Sequence, residues 1–153
     1  MNATATLEPT AMQRVDAIET ALAQMQPCHL EPEHNFIPGF YCRTLKMPQG
    51  AMVVSKIHKT QHPYTVTKGH AAVWTEQDGV VQIKAPFSGI TQPGTRRVLY
   101  IHEDCEWTTF HATDKLDVAK IEADIIQPHQ VQAFEIADLM PQLMEQFNKT
   151  ENI

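Results

Sequence analysis

Three histidines, His58, His62 and His111, have the types and positions that could do chemistry. Neutral imidazole is a good ligand for divalent metals and a proton carrier near neutral pH. On a helix, the four-residue step from His58 to His62 would suggest a zinc-protease pair. That reading fails, because Lys59 stands where the general-base glutamate belongs and Pro63 precedes the strand-like run Tyr64-Thr65-Val66-Thr67. On strands, the same step places one ligand at a strand end and the next just after the turn. His111 closes the last strand-like run and supplies a third imidazole. Such a set suits a zinc, iron or manganese ion, weakly held and open to water. His29, His34 and His70 read as exposed loop or turn residues, and His102-Glu103-Asp104 as a polar hairpin turn. Tyr41, Tyr64 and Trp74 lie on strand-like runs and would either stack on a planar ligand or pack in the core.

The elements that must position these residues are mostly strands. FYCRTLKM, AMVVSKI, YTVTK, AAVWTE, VVQIKA, RRVLYI and EWTTFH are short and rich in β-branched and aromatic residues. Pro48-Gln49-Gly50, Gly69, Asp78-Gly79 and Pro93-Gly94 punctuate them as turns. This spacing predicts an all-β sandwich or barrel rather than βαβ units, with a tight hairpin at Asp78-Gly79. A helix is predicted over Thr10–Met25, with Ala11, Val15, Ile18, Leu22 and Met25 on one face and Thr10 as its cap. Residues 28–39, bracketed and interrupted by prolines, read as irregular. Beyond His111 the pattern becomes helical. A short helix capped at Thr113-Asp114 ends before Pro128, and a second helical stretch, interrupted by Pro141, covers Val131–Phe147.

Composition narrows the functions. With 153 residues, 42% hydrophobic and 20% charged, the chain has the makings of one soluble domain. It has no apolar run of ~20 residues and no basic-then-apolar leader. Cys28, Cys42 and Cys105 lack paired spacing and read as reduced thiols in a cytoplasmic protein. The net charge of −6 is uneven: residues 1–38 carry −4, residues 39–111 carry +3 and residues 112–153 carry −5. A mildly basic centre fits a small anionic molecule as partner and is too sparse for nucleic acid. No P-loop, dinucleotide fingerprint or nucleophile elbow is present.

The central segment resembles the cupin superfamily. The first cupin motif runs glycine, five residues, His-x-His, three residues, Glu, six residues, glycine. Here Gly50 and Gly69 are the glycines, Lys56 stands at the first histidine, His58 at the second and His62 at the glutamate. The second motif centres on a Pro-x-Gly turn followed three residues later by the last histidine. Gln92-Pro93-Gly94 supplies the turn, with Arg97 at the ligand place. GTRRVLY, ED and WTTFH look like small cupin-like proteins of bacteriophages, which generally have no assigned activity. The resemblance implies a mainly β fold: a single cupin-like jelly-roll β-barrel over residues 39–112. An N-terminal helix and irregular lead-in occupy 1–38, and a helical tail occupies 113–153.

Under this alignment Arg97 points inward and Arg96 outward. Lys56 and Arg97 then favour an anion over a tightly held cation. The expected function is a pocket binding a small anionic ligand through Lys56, Arg97, Tyr64 and Trp74, as in a phage protein sequestering a host molecule in the host cytoplasm. The alternatives are a metal-dependent enzyme using His58, His62 and His111, and a scaffold without a ligand. The apolar flanking helices and the barrel edges predict a homodimer, and neither membrane nor nucleic acid is expected as a partner.

Overall fold

Alternation in Phe40–Met47 puts Tyr41, Arg43, Leu45 and Met47 on one face and Phe40, Cys42, Thr44 and Lys46 on the other. A computed structural model of the chain describes residues 9–24 and 30–128, and it makes this run a strand. The elements are α1 (Ala11–Gln24), β1 (Glu33–Ile37), β2 (Phe40–Met47), β3 (Met52–Val54), β4 (His62–Thr75), β5 (Gly79–Lys84), β6 (Phe87–Thr91), β7 (Val98–Ala112) and α2 (Val118–Ile125). All strand pairings are antiparallel. The helical stretch expected at Val131–Phe147 lies outside the described residues. No helix among the described residues is long and apolar enough to cross a membrane.

The two longest strands, β4 and β7, pair with each other and organise the sheet. Their register slips between Val66 and Ala71, and this bulge divides the sheet into two halves. In one half the order is β1, β2, the end of β7, the start of β4, and β6. In the other it is β3, the start of β7, the end of β4, and β5. One apolar core draws on both halves: Met47, Tyr64, Val66 and Trp107 from the first, Val73, Ile83, Leu99 and Ile101 from the second. The hydrogen-bonded path ends at β1 and β5, so the expected barrel is an open, folded sheet among the described residues.

Several predicted boundaries move. Gly69 is not a turn between strands but part of the β4 bulge, at φ +90°. A Cβ there would lie 2.2 Å from the Asp104 carbonyl oxygen, so close backbone approach and a positive φ both require glycine. His102-Glu103-Asp104 likewise lies inside β7, opposite the bulge, and is not a hairpin turn. The segment read as irregular contains β1, which turns back through Pro38-Gly39 to pair with β2, so the sheet starts ahead of residue 39. β6 was not anticipated either; its Phe87–Thr91 run is brief and interrupted by Gly89.

The two helices lie on different parts of the sheet. In α1, Thr10 caps as expected: its Oγ1 accepts from Gln13 N–H, while Gln13 Oε1 accepts from Thr10 N–H. Val15 of α1 packs with Ala72 and Val98 on the outer face of the second half-sheet. α2 starts later than predicted, at Asp117 rather than Thr113-Asp114, with the Asp117 carboxylate accepting from Lys120 N–H. Its Ile121 and Ile125 bury against Tyr41 on the inner face of the first half-sheet. Burial of each contributes about 2 kcal/mol. α2 thereby plugs one end of the fold.

Candidate metal centre and pocket

His58, His62 and His111 come together at the plugged end. Their ligand nitrogens all lie within 4.8 Å of one another, and the ring centroids are 4.4 to 5.6 Å apart. Each ring arrives from a different element. His62 opens β4 and His111 ends β7, both 3% exposed. His58 sits on the connection before β4, which backbone bonds tie down on both sides. Lys59 N–H donates to Ile125 O at 2.7 Å, Gln127 N–H to Ile57 O at 2.8 Å, and Gly94 N–H to His58 O at 2.9 Å. The last bond comes from the Pro93-Gly94 turn, so the turn and α2 together hold His58 in place.

The electrostatics keep these rings neutral. Burial, followed by His62, His111 and nearby arginines, pushes His58 down to about 3. Burial, then His62 and Arg43, pushes His111 down to about 4. His62 is also lowered, chiefly by burial. Neutral imidazole is the form that binds metal. His62 Nδ1–H donates to the Thr60 carbonyl at 3.0 Å, which fixes its tautomer and leaves Nε2 with its lone pair. His111 Nε2 shares a hydrogen bond with Thr109 Oγ1 at 3.0 Å, and its Nδ1 is buried without a partner among the described residues. A buried orphan nitrogen amid neutral imidazoles fits a divalent ion that prefers nitrogen ligands.

The centre opens into a cavity of about 240 Å³ between the half-sheets. His58, His62, Lys56, Arg97 and Arg43 share its wall with Leu45, Met47, Val53, Leu99 and Trp107, and no carboxylate among the described residues lines it. Arg97 points inward, its guanidinium carbon 5.1 Å from the Tyr64 ring centroid and 5.7 Å from that of Trp107. Burial pulls its pKa down, and the Tyr64 hydroxyl partly offsets this electrostatically. Tyr64 stacks on Trp107 at 4.6 Å and 12° and backs Arg97 without lining the cavity. Lys56 is exposed at the rim, 3.9 Å from Glu122 of α2.

Trp74 does not join them. The bulge reverses face parity along β4: His62, Tyr64 and Val66 point inward before it, Ala71 and Val73 after it. Trp74 therefore packs on the outer face with Val15 and Val98 and borders a smaller cavity of about 80 Å³ under α1. Arg96 also departs from expectation. It faces away from the cavity but is only 6% exposed, held by Asp16 of α1 at 2.5 Å and by Glu19.

Arg43 was missed. It lines the cavity from β2, and its Nε is buried with no hydrogen-bond partner among the described residues. The signal was the alternation Tyr41, Arg43, Leu45, Met47, which ends on two large apolar residues. His34 is exposed as expected, but on a strand rather than in a loop. It lies in β1, with its ring stacked on Tyr41 and Nδ1 sharing a 2.5 Å hydrogen bond with the Tyr41 hydroxyl.

No family model matches the sequence, and no curated protein does. Solved structures similar to this chain include cupin-domain proteins. A cupin-2 domain protein from Shewanella frigidimarina aligns at 12% identity and a TM-score of 0.46, over 68% of this chain and all of that one. The Cnp3 cupin domain of Schizosaccharomyces pombe aligns at 20% identity and 0.47, over 65% of this chain and 71% of that one. An RmlC-like cupin family protein with a double-stranded β-helix fold, from Methanocaldococcus jannaschii, aligns at 11% identity and 0.47, over 56% and 82%.

Proposed function

We propose that the chain is a cupin-like pocket protein that binds a divalent metal through His58, His62 and His111 and a small anionic molecule beside it. The observation that carries this reading is a cluster of three neutral imidazoles, two of which line a cavity that also holds two arginines and a lysine and no carboxylate among the described residues. Charge balance links the two ligands. A divalent ion on neutral imidazoles, next to Arg43 and Arg97, leaves a concentrated positive charge in a partly dry site. An anion relieves it, by a forked contact with a guanidinium and by an oxygen at a metal position that three protein ligands leave open. Each ligand therefore favours the other.

Metal content and co-purifying small molecules of the full chain, measured together, test the proposal. We expect close to one zinc, iron or manganese per chain, lost in the His58→Ala/His62→Ala double variant, together with an anion lost in Arg97→Ala. Wild-type protein that takes up none of these metals at neutral pH after reconstitution would refute the metal centre. Anion binding unchanged in a folded Arg43→Ala/Arg97→Ala double variant would refute the pocket.

A further inference from the structure

We infer that the anion is an amphipathic monocarboxylate with a short apolar body, anchored by Arg43 and lying along the strands toward Met47. This inference rests on the pocket reading above and names the class of molecule taken. The argument is the order of side chains along paired β2 and β7. Tyr41 pairs with His111, Arg43 with Thr109, Leu45 with Trp107 and Met47 with Cys105. Each pair lies two residues, about 7 Å, from the next. The inner wall thus runs from imidazole, to guanidinium and hydroxyl, to two levels where β2 and β7 contribute no charged side chain. The opposite half-sheet repeats the order, with Arg97 followed by Leu99.

Two further observations select one charge and a small body. The buried Arg43 Nε lacks a partner among the described residues, whereas the Arg97 guanidinium already lies over the Tyr64 and Trp107 rings, so Arg43 is the donor that gains most from a carboxylate. At the far, Met47 level the described wall residues are Met47, Leu30 and Val53, with Arg97 no farther along than Trp107, so a second charge placed there would be buried unpaired. The cavity of about 240 Å³ matches the share of liquid volume taken by about eight waters, which admits a chain of a few carbons or a single ring.

Calorimetric titration of the full chain, zinc-loaded and EDTA-treated, with hexanoate, acetate, succinate and inorganic phosphate tests the inference. Each buried methylene favours binding by a factor of about four. Hexanoate should therefore bind at least tenfold tighter than acetate, and tighter than succinate or phosphate. Arg43→Gln should weaken hexanoate at least tenfold while leaving zinc stoichiometry unchanged, and Arg43→Lys should restore part of the loss. Succinate or phosphate binding as tightly as hexanoate overturns the inference but leaves the anion pocket standing. Unchanged hexanoate affinity in a folded Arg43→Gln protein overturns the anchor. If none of the four anions binds either form, both the inference and the pocket reading fail.

Discussion

His62 and His111 are nearly inaccessible, and a proton on either would sit beside other imidazoles and arginines. The folded chain therefore refuses protons that the unfolded chain accepts near pH 6.5. Stability from this source is complete above about 6.5 and is lost as pH falls toward 4 for His111 and 3 for His58. For His111 the loss is at most about 3 kcal/mol. Metal-free protein should thus show a falling urea midpoint between pH 6.5 and 4.5, and His111→Gln should flatten that dependence. An identical slope in wild type and variant would show that His111 does not titrate as described. Residue types and spacing were enough to single out the three histidines, and the resemblance to the second cupin motif singled out Arg97. Arg43 escaped because a lone alternating strand has two faces, and nothing local says which one meets the core.

The elements show where local reading fails for physical reasons. Gly69 and His102-Glu103-Asp104 look like turns because glycine and clustered polar residues usually are, yet they face each other across one bulge in two continuous strands. Recognising this requires the pairing of residues more than 30 positions apart. The bulge sets the angle between the half-sheets and reverses the parity of β4, so it also moved Trp74 out of the pocket. Gly69→Ala should cost at least about 2 kcal/mol, since it adds a backbone clash to a strained φ, and urea denaturation would measure it. By contrast the α1 start, β2 and the β4–β5 hairpin were legible, because capping, alternation and turn residues are local, although the turn is Glu76-Gln77-Asp78, with Gly79 already paired to Thr75. The hold of α1 was not. Arg96 was expected in solvent, but with Asp16 it forms a buried pair. Arg96→Met should cost about 3–5 kcal/mol by taking the guanidinium away from the buried Asp16 carboxylate. The Arg96→Met/Asp16→Leu pair should recover much of that, as a double-mutant cycle would show.

For the whole molecule, the site is made by closure rather than by any one element. β2, β4 and β7 supply the inner wall, α2 plugs the end beside Tyr41, and the Pro93-Gly94 turn holds His58 against both. A ligand seated there binds only the folded chain, so its affinity appears as stability. Metal at a hundred times its dissociation constant should add about 2.7 kcal/mol and raise Tm by about 5–10 °C. In His58→Ala/His62→Ala the metal-dependent rise should vanish. In Arg43→Gln it should persist, while the additional rise with hexanoate should disappear. Differential scanning fluorimetry of the three proteins, each with metal, hexanoate or both, measures the two effects separately. If metal and anion relieve each other's charge, the rise with both exceeds the sum of the separate rises in wild type. Strict additivity there would mean that the histidine and arginine levels act as independent sites within one cavity.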